Sequence, residues 1–559
     1  MRYYGPLYPF YDDENDYNTN APSFYDYLAR LNKMLKIIND QVDLLKQREI
    51  TFQDSDAITT KRIETWEGLS SKLTTFISEL EISDNTNTLT LDNVAPYNFN
   101  LTNATTVLND GVFTPDYENV LKAIDGIVGD FKASDGRNTF RPVPTPDEFS
   151  WKEHPLQNKI FSDNQGNFKV NFDVSKLRPI GKRYHVDVVN GNDTNDGLSQ
   201  QTALKTMTAA YNKTDIVEMV LYSGVYYRND TLQGIDITKD LSIIGAYGEK
   251  PLITSATKMI LTPSADYSNV YQMDTGGVTG LFDLKNRNEN HDYYILKQVD
   301  SVSEVSLTAG SYYHDGSVLY LSTVDGRVPD DDIIRLSGGL PIKQMGNSTL
   351  YLENLEILAG NSALDVEAID GQRAPRIYGK NCKFKFSATD GWNCVYIKGA
   401  ELSIMQECDF SYSKKDGINY ARQGEHSVHA VEIDCSGTNN GTYGASNDQV
   451  TTVHNDCRII RVNGTYEKSY GNNIGDSGST TYVCESWNLG CVNGFTQAVN
   501  PPQAVNFMCY ENTKMFIDGC VGHNATYDIS GQGQIFVHNN NLLSDSPAWE
   551  GSVLTTYTY

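Results

Sequence analysis

The 559-residue chain predicts a mainly β protein, a right-handed parallel β-helix with an N-terminal α-helical coiled-coil region and an inserted β-rich module. Three observations carry that expectation. Between 348 and 543, Cys382, Cys408, Cys435, Cys457, Cys484 and Cys509 recur 22 to 27 residues apart. A period of this length marks a solenoid, whose units bury their apolar faces only when neighbours stack on them. Each cysteine also sits in a short run such as NCKFKF, EIDCSG or HNDCRII, rich in strand formers and bounded by Asn, Gly and Asp. One coil per cysteine sets the six sulfurs in an internal ladder, about 4.8 Å apart.

The elements follow in chain order. Residues 1–133 read as an attachment and oligomerisation region. Its first 23 residues form a Tyr-, Pro-, Asp- and Asn-rich arm, and a helix then starts at a Ser23 cap. Leu28, Leu31, Leu35, Ile38, Val42 and Leu45 alternate three and four apart, as do Trp66, Leu69, Leu73, Phe76 and Leu80. Two helices packed within one subunit satisfy such seams. So does a coiled coil between subunits, and the strict alternation favours this second reading, with a homotrimer expected. Residues 134–180 carry Pro142, Pro144 and Pro146 at alternate positions, the signature of a stiff linker. Residues 181–255 read as the first coils of the β-helix. There the helix-forming run around Leu204, Met207 and Tyr211 caps the open end. Residues 256–347 form the inserted module, and 348–559 the β-helix body and C-terminal end.

Composition excludes several classes. A formal net charge of −26 argues against nucleic acid as ligand, because phosphate binding needs clustered Lys and Arg. No run approaches the roughly 20 apolar residues of a membrane-spanning helix, so no membrane insertion is expected. The opening stretch MRYYGPLYPFYDDEND lacks a charged-then-apolar leader pattern. The nine cysteines, all between 382 and 520, have coil spacing, which suits free buried thiols and assembly in a reducing cytosol.

The run GNDTNDG…LKTMTAAY, followed by VEMVLYSGVYY and LSIIGAYGEKPLITS, resembles the first coils of pectate-lyase-like right-handed β-helix proteins, a group that includes phage tailspikes. A helical arm ahead of a β-helix is also similar to the pre-neck appendages of small tailed phages that infect Gram-positive bacteria. The stretch 446–490 resembles their central coils at His454, Asp456, Gly471, Asn472 and Asp476, with Cys457 where the pattern has Gly. The resemblance implies a virion protein assembled in the host cytoplasm. It implies attachment to neck or tail (collar or connector) proteins through the N-terminal region, and a β-helix that engages wall teichoic acid or a related host cell-wall glycopolymer and can cleave it.

Cleavage of a glycosidic or phosphodiester bond needs a proton donor and a base or metal-held water within a few ångströms. Alternation counted back from an inward cysteine places Glu432 and Asp434 beside His454 and Asp456 on the outer wall, with Asp476 in the loop leaving that coil. His454, Asp456, Asp476 and Glu432 are therefore the catalytic candidates, and Asp434, Asp416, Glu425 and Trp487 the substrate-binding ones. Asp390 and Asp416, each followed by Gly, mark repeated corners. An acidic patch would repel an anionic polymer unless Ca²⁺ or Mg²⁺ bridged the two, with Asp434 and Asp456 as ligands. No organic cofactor motif is present. Three readings stay open: a tail appendage that depolymerises a host polymer, a binding-only tail fibre of the same architecture, and a free secreted lyase. The helical arm and the missing leader pattern count against the third.

Overall fold

In the computed structural model, residues 140–556 are described, apart from 164–165, 250, 279, 289–291, 337, 388–390, 443–447, 495, 497–504, 543–545 and 549–553. Leu35, Asn39, Glu67, Ser70, Ser71, Leu73 and Thr74 are also described, all helical. There the Ser70 hydroxyl donates to Asn39 Oδ1 at 2.7 Å, so the two helical stretches meet within one chain. Most of the two heptad seams, and Asp390, lie outside the described residues.

The long sheets are parallel. Strand order repeats with one pattern: a strand of the third sheet, one of the first, one of the second, then the next strand of the third. In this way Leu364–Glu367 leads to Arg376–Lys380, Lys383–Lys385 and Val395–Lys398. Three parallel sheets of 12, 10 and 10 strands result, the topology of a parallel β-helix. Crossovers between parallel strands are right-handed by the general rule, which fits the expected hand.

Two corners explain why the coils stack in register. Eight of the twelve strands of the first sheet, from Thr349–Glu353 to Gln534–His538, end on a left-handed residue: Asn354, Asn381, Glu407, Asp434, Asn463, Gly490, Gly519 and Asn539. Five strands of the second sheet end likewise, at Ala359, Phe386, Tyr412, Asn439 and Lys468. One left-handed residue turns the chain sharply, and Asn tolerates that conformation best after Gly. At the first corner Asn381 Nδ2 donates to Asn354 Oδ1 at 2.6 Å, and Asn463 Nδ2 to Asp434 Oδ1 at 3.1 Å.

The cysteine ladder is present in another register. Backbone hydrogen bonds link the coils through the carbonyls of Cys382, Cys408, Cys435, Gly464 and Cys491, so the column runs Cys382, Cys408, Cys435, Gly464, Cys491, Cys520. Cys457 stacks on Cys484 at the opposite end of the first-sheet strands, where Arg458 pairs with Glu485. Cys509 pairs with Asp476 in the third sheet. All nine cysteines are free and buried.

The interior of the early coils is aliphatic, closed at its first end by Leu204, Met207 and Ala210 around the helix Met207–Tyr211. Outside, the alternating faces of the first sheet present Tyr351, Tyr378, Ile404, Val431, Ile460, Trp487 and Phe516 as one column of stacked neighbours. A strap from residues 141–177, including Phe149, Leu156, Ile160, Phe168 and Val174, covers that column. The stretch expected to be a stiff linker is this strap: Arg141–Pro142 pairs with Ile160–Ser162, which pairs with Phe168–Val170. Proline at the edge of so small a sheet leaves no ladder donor missing. The inserted module is antiparallel for the most part. It docks where chain leaves the second sheet, with the Phe282 ring 4.6 Å from Phe386 and Phe386 4.9 Å from Tyr412.

Candidate functional site

The outer face of the third sheet carries a column of polar side chains; the second sheet carries another, Glu356, Lys383, Asp409, Ser436 and Thr465. Register stacks Asp236, Lys343, Asp365, Tyr396, Asn419 and Thr452 in one outward column. Five inter-strand steps give it a length of about 24 Å. The alternate residues Val366, Ile397, Tyr420 and Val453 point into the core, which fixes this face as the outer one. Beside the column run Glu367 and Lys398.

Half of the face is an ion-pair ladder. Lys398 Nζ lies 3.0 Å from Asp365 Oδ1 and also binds Glu367 Oε1, whose other oxygen is 3.0 Å from Lys343 Nζ. Burial raises the pKa of Asp365 against the opposing pull of Lys398. Burial acts the same way on Glu367, but its bonds to Lys398 and Lys343 outweigh it and hold this carboxylate below the ordinary range. Two neighbouring carboxyls are thereby pushed apart in acidity, the pattern of an acid and base pair.

The other half centres on Asp416, at the corner before Ile418–Ala421. Its carboxylate accepts from Asn419 Nδ2 at 2.8 Å and from the Gln449 amide at 2.9 Å. Burial nevertheless pushes its pKa up to about 6. Two tyrosines sense it: after burial, the charge of Asp416 is among the causes that raise both Tyr396 and Tyr510. The Tyr510 hydroxyl accepts from Asn472 Nδ2 at 3.0 Å. Asn419 Oδ1 and Asn472 Oδ1 are buried, yet neither accepts a hydrogen bond from the described residues. An acceptor left open in this way is a place for a ligand hydroxyl or a water.

The structure corrects most of the sequence-derived site. Glu432 points into the lumen, fully buried, with Thr451 Oγ1 donating to it at 2.8 Å and the Tyr466 hydroxyl donating as well. Asp476 is also in the lumen, in a two-pronged pair with Arg461 at 2.9 Å for each contact. Neither can touch a substrate on the wall. Trp487 faces outward, but the strap buries it, with Phe149 at 6.0 Å and His154 at 5.9 Å between ring centroids. Asp434 is a corner residue whose pKa burial pushes up to about 7. Asp456 sits at the other end of the neighbouring strand, held by Arg422 at 2.9 Å and Arg458 at 3.1 Å. Burial would raise its pKa, but Ser427 and the two arginines lower it. Five residues of strand, roughly 16 Å, separate Asp434 from Asp456, so the two do not fit a shared Ca²⁺ or Mg²⁺.

His454 does lie on the third-sheet face, paralleling Ser477, with Nε2 3.2 Å from the Thr452 hydroxyl. Burial dominates and drops its pKa to about 4, although the charge of Asp476 acts to raise it, so the ring is neutral at pH 7. Asp416, expected as a substrate-binding residue, lies at the third-sheet corner described above. Glu425 is exposed in a loop, where its carboxylate, Asp370 and His426 bring ligating atoms within 4.8 Å of one another. The Gly371 amide donates to Glu425 Oε1 at 2.8 Å and the Glu425 amide to Asp370 Oδ1 at 3.2 Å, which ties two loops together. Sequence reasoning missed Asp365, Glu367, Tyr396 and Lys398. The alternation in LDVE and VYIK, apolar then polar, was the signal available.

No protein-family model matches the chain, and no curated protein matches it. Among solved structures it is similar to XylC in complex with xylose, at 10% identity and a TM-score of 0.40, over 67% of this chain and 70% of that one. Pectate lyase Pel9A is similar at 12% identity and a TM-score of 0.36, over 68% and 84%. The tailspike of Pseudomonas phage phi297 is similar at 10% identity and a TM-score of 0.18, over 64% and 73%.

Proposed function

We propose that this protein is a phage tail appendage whose β-helix binds a host cell-surface glycopolymer, such as wall teichoic acid, along the outer face of the third sheet, and depolymerises it there as a hydrolase. The observation that carries the reading is the Asp416 neighbourhood. A buried carboxyl with pKa near 6 stands beside two acceptors open to a ligand and two tyrosines, in line with an extended polar column. Asp416 donates the proton to the leaving oxygen. The ionised carboxylate of Glu367 activates water. The N-terminal region joins the chain to neck or tail proteins as a homotrimer, an arrangement that would raise avidity for a repetitive polymer.

A second reading is a non-enzymatic receptor-binding fibre. It is favoured by the ladder itself, which commits Asp365 and Glu367 to Lys398 and Lys343. One experiment separates the two. Purified protein is incubated with host-type wall polymers, and chain length is followed. Shortening that drops about 10²-fold or more in Asp416→Asn supports acid catalysis. Binding without shortening leaves the fibre. Light scattering that gave a monomer mass would remove the trimer.

A further inference from the structure

The inserted module holds a surface that the reading above does not use. Its five-stranded sheet runs Thr262–Pro263, Tyr271–Asp274, Val318–Leu321, Ser311–His314, Lys297–Gln298. One face is apolar and buried: Tyr312, Leu319 and Leu321 pack with Leu281, Leu296 and Ile333, and Met273 lies against them. Strand alternation turns Gln272, Tyr320 and Tyr313 to the opposite face, where they are direct cross-strand neighbours. The two tyrosine rings lie 6.4 Å apart and 20° from parallel, and each is half-exposed.

Carboxylates border this pair. Asp274 shares its face two residues after Gln272, Asp315 sits in the turn between the two tyrosine strands, and Asp266 lies in the connection between the first two strands. After slight burial, the charges of Asp315, Asp266 and Asp274, followed by Tyr313, raise the Tyr320 phenol. Asp315 is held ionised by the Ser317 and Val318 amides, each at 2.8 Å.

We infer that this face binds a pyranose bearing a protonated amine, its C–H face laid on Tyr313 and Tyr320 and its ammonium set beside Asp274 and Asp315, which Val318 brings to the same end of the sheet. Aromatic faces attract both polarised C–H groups and cations, and a few placed polar groups then fix orientation. Gln272 supplies an amide for a ring hydroxyl. The rim of carboxylates complements an ammonium and repels a uronate or a phosphate, so charge selects one class of sugar. The surface stands independently of Asp416 and adds a second foothold for a polymer carrying amino sugars.

Titration calorimetry on the full chain with a glucosamine tetramer tests this, with N-acetylglucosamine and galacturonate tetramers as the comparison ligands. Saturable binding to glucosamine is expected, at least tenfold weaker binding to the acetylated tetramer, and none to galacturonate. The chain carries a net −26, so bulk attraction for a polycation must be separated from the platform. Tyr313→Ala with Tyr320→Ala leaves that charge unchanged and should weaken binding tenfold or more. Should that pair unfold the module, Asp274→Asn, at an exposed position, should weaken glucosamine binding tenfold or more, while Asp266→Asn, which removes the same charge at the other end of the sheet, should not. Equal binding by the tyrosine variant in a folded module, equal affinity for the acetylated tetramer, or no saturable binding would each overturn the proposal. Asp416→Asn should leave this binding unaltered.

Discussion

Asp476→Asn should destabilise the β-helix by about 3 kcal/mol without changing how the folded protein handles its polymer. The magnitude follows from the lumen geometry. Arg461 is fully buried and donates twice to Asp476, at 2.9 Å each, with weaker bonds to Asn488 Oδ1 and Thr451 Oγ1 at 3.2 Å. Hydrogen bonds to charged groups are worth roughly 1.5–3 kcal/mol each, and a buried guanidinium stripped of its counter-ion costs about 3–5. Asparagine keeps one acceptor, and Glu432 remains a nearby opposite charge, which places the loss at the lower end. Arg461→Met combined with Asp476→Leu should recover most of it, because the paired apolar replacement leaves no buried charge. The assay is the urea midpoint and the unfolding rate of each variant, with polymer binding measured on folded protein at low temperature. A chain this large can unfold irreversibly, so the rate is the safer readout. A wild-type midpoint for Asp476→Asn accompanied by lost polymer cleavage would refute the lumen assignment and return Asp476 to the substrate.

Acidity gives a second expectation. Asp416 at about 6 and Asp434 at about 7 both keep protons that the unfolded chain, near 3.8, has released. The unfolded state therefore binds fewer protons between about pH 4 and 7, and these two groups make stability fall as pH rises through that window and stay level above it. Asp434→Asn should gain on wild type across it, read as denaturation midpoints at pH 4.5 and 8. Cleavage that uses Asp416 as acid should decline above about pH 6, while His454→Gln should leave that profile in place, since His454 at about 4 stays neutral throughout. The nine buried cysteines should be silent to a thiol reagent in the native protein and all react on unfolding. At the first corner, Asn381→Ala should cost about 1–2 kcal/mol, because Asn381 holds φ at +49° and bonds Asn354, whereas Asn381→Gly should cost less.

The solenoid was legible from the cysteines because three of them, Cys382, Cys408 and Cys435, do share a column. The fourth step failed for a physical reason. The coil after Cys435 carries a long connection between Ser436–Thr438 and Thr451–Val453, so the column resumes 29 residues on, at Gly464, and passes over Cys457. The inside–outside assignment failed for another. Asp434, one before the cysteine, is left-handed at φ +52°, which resets the two-residue alternation at the corner. Cys435 and Glu432 therefore both face inward, and Val431 and Ile433 outward beneath the strap. A left-handed Glu or Asp leaves little trace in a sequence, whereas Asn381 and Gly490 at the same corner could have been noticed.

The walls of the solenoid differ in what covers them. On the first sheet, an aromatic and aliphatic column from Tyr351 to Phe516 is apolar enough to need a cover, and the strap supplies it through Phe149, Leu156 and Phe168. Exposing so large an apolar stripe to water would cost more than ordering the strap, at about 25 cal/mol for each Å². At the corner leaving the second sheet, Phe386 and Tyr412 hold left-handed backbones that bulky residues adopt only when the surroundings demand it. Their stack on Phe282 docks the inserted module there. The third sheet presents Lys343, Asp365, Tyr396 and Asn419 in the same register positions where the first sheet presents aromatic rings. Such a column needs no apolar cover, and it leaves Asn419 Oδ1 without a partner among the described residues. A polar column with an open acceptor is the feature on which the proposed polymer contact rests.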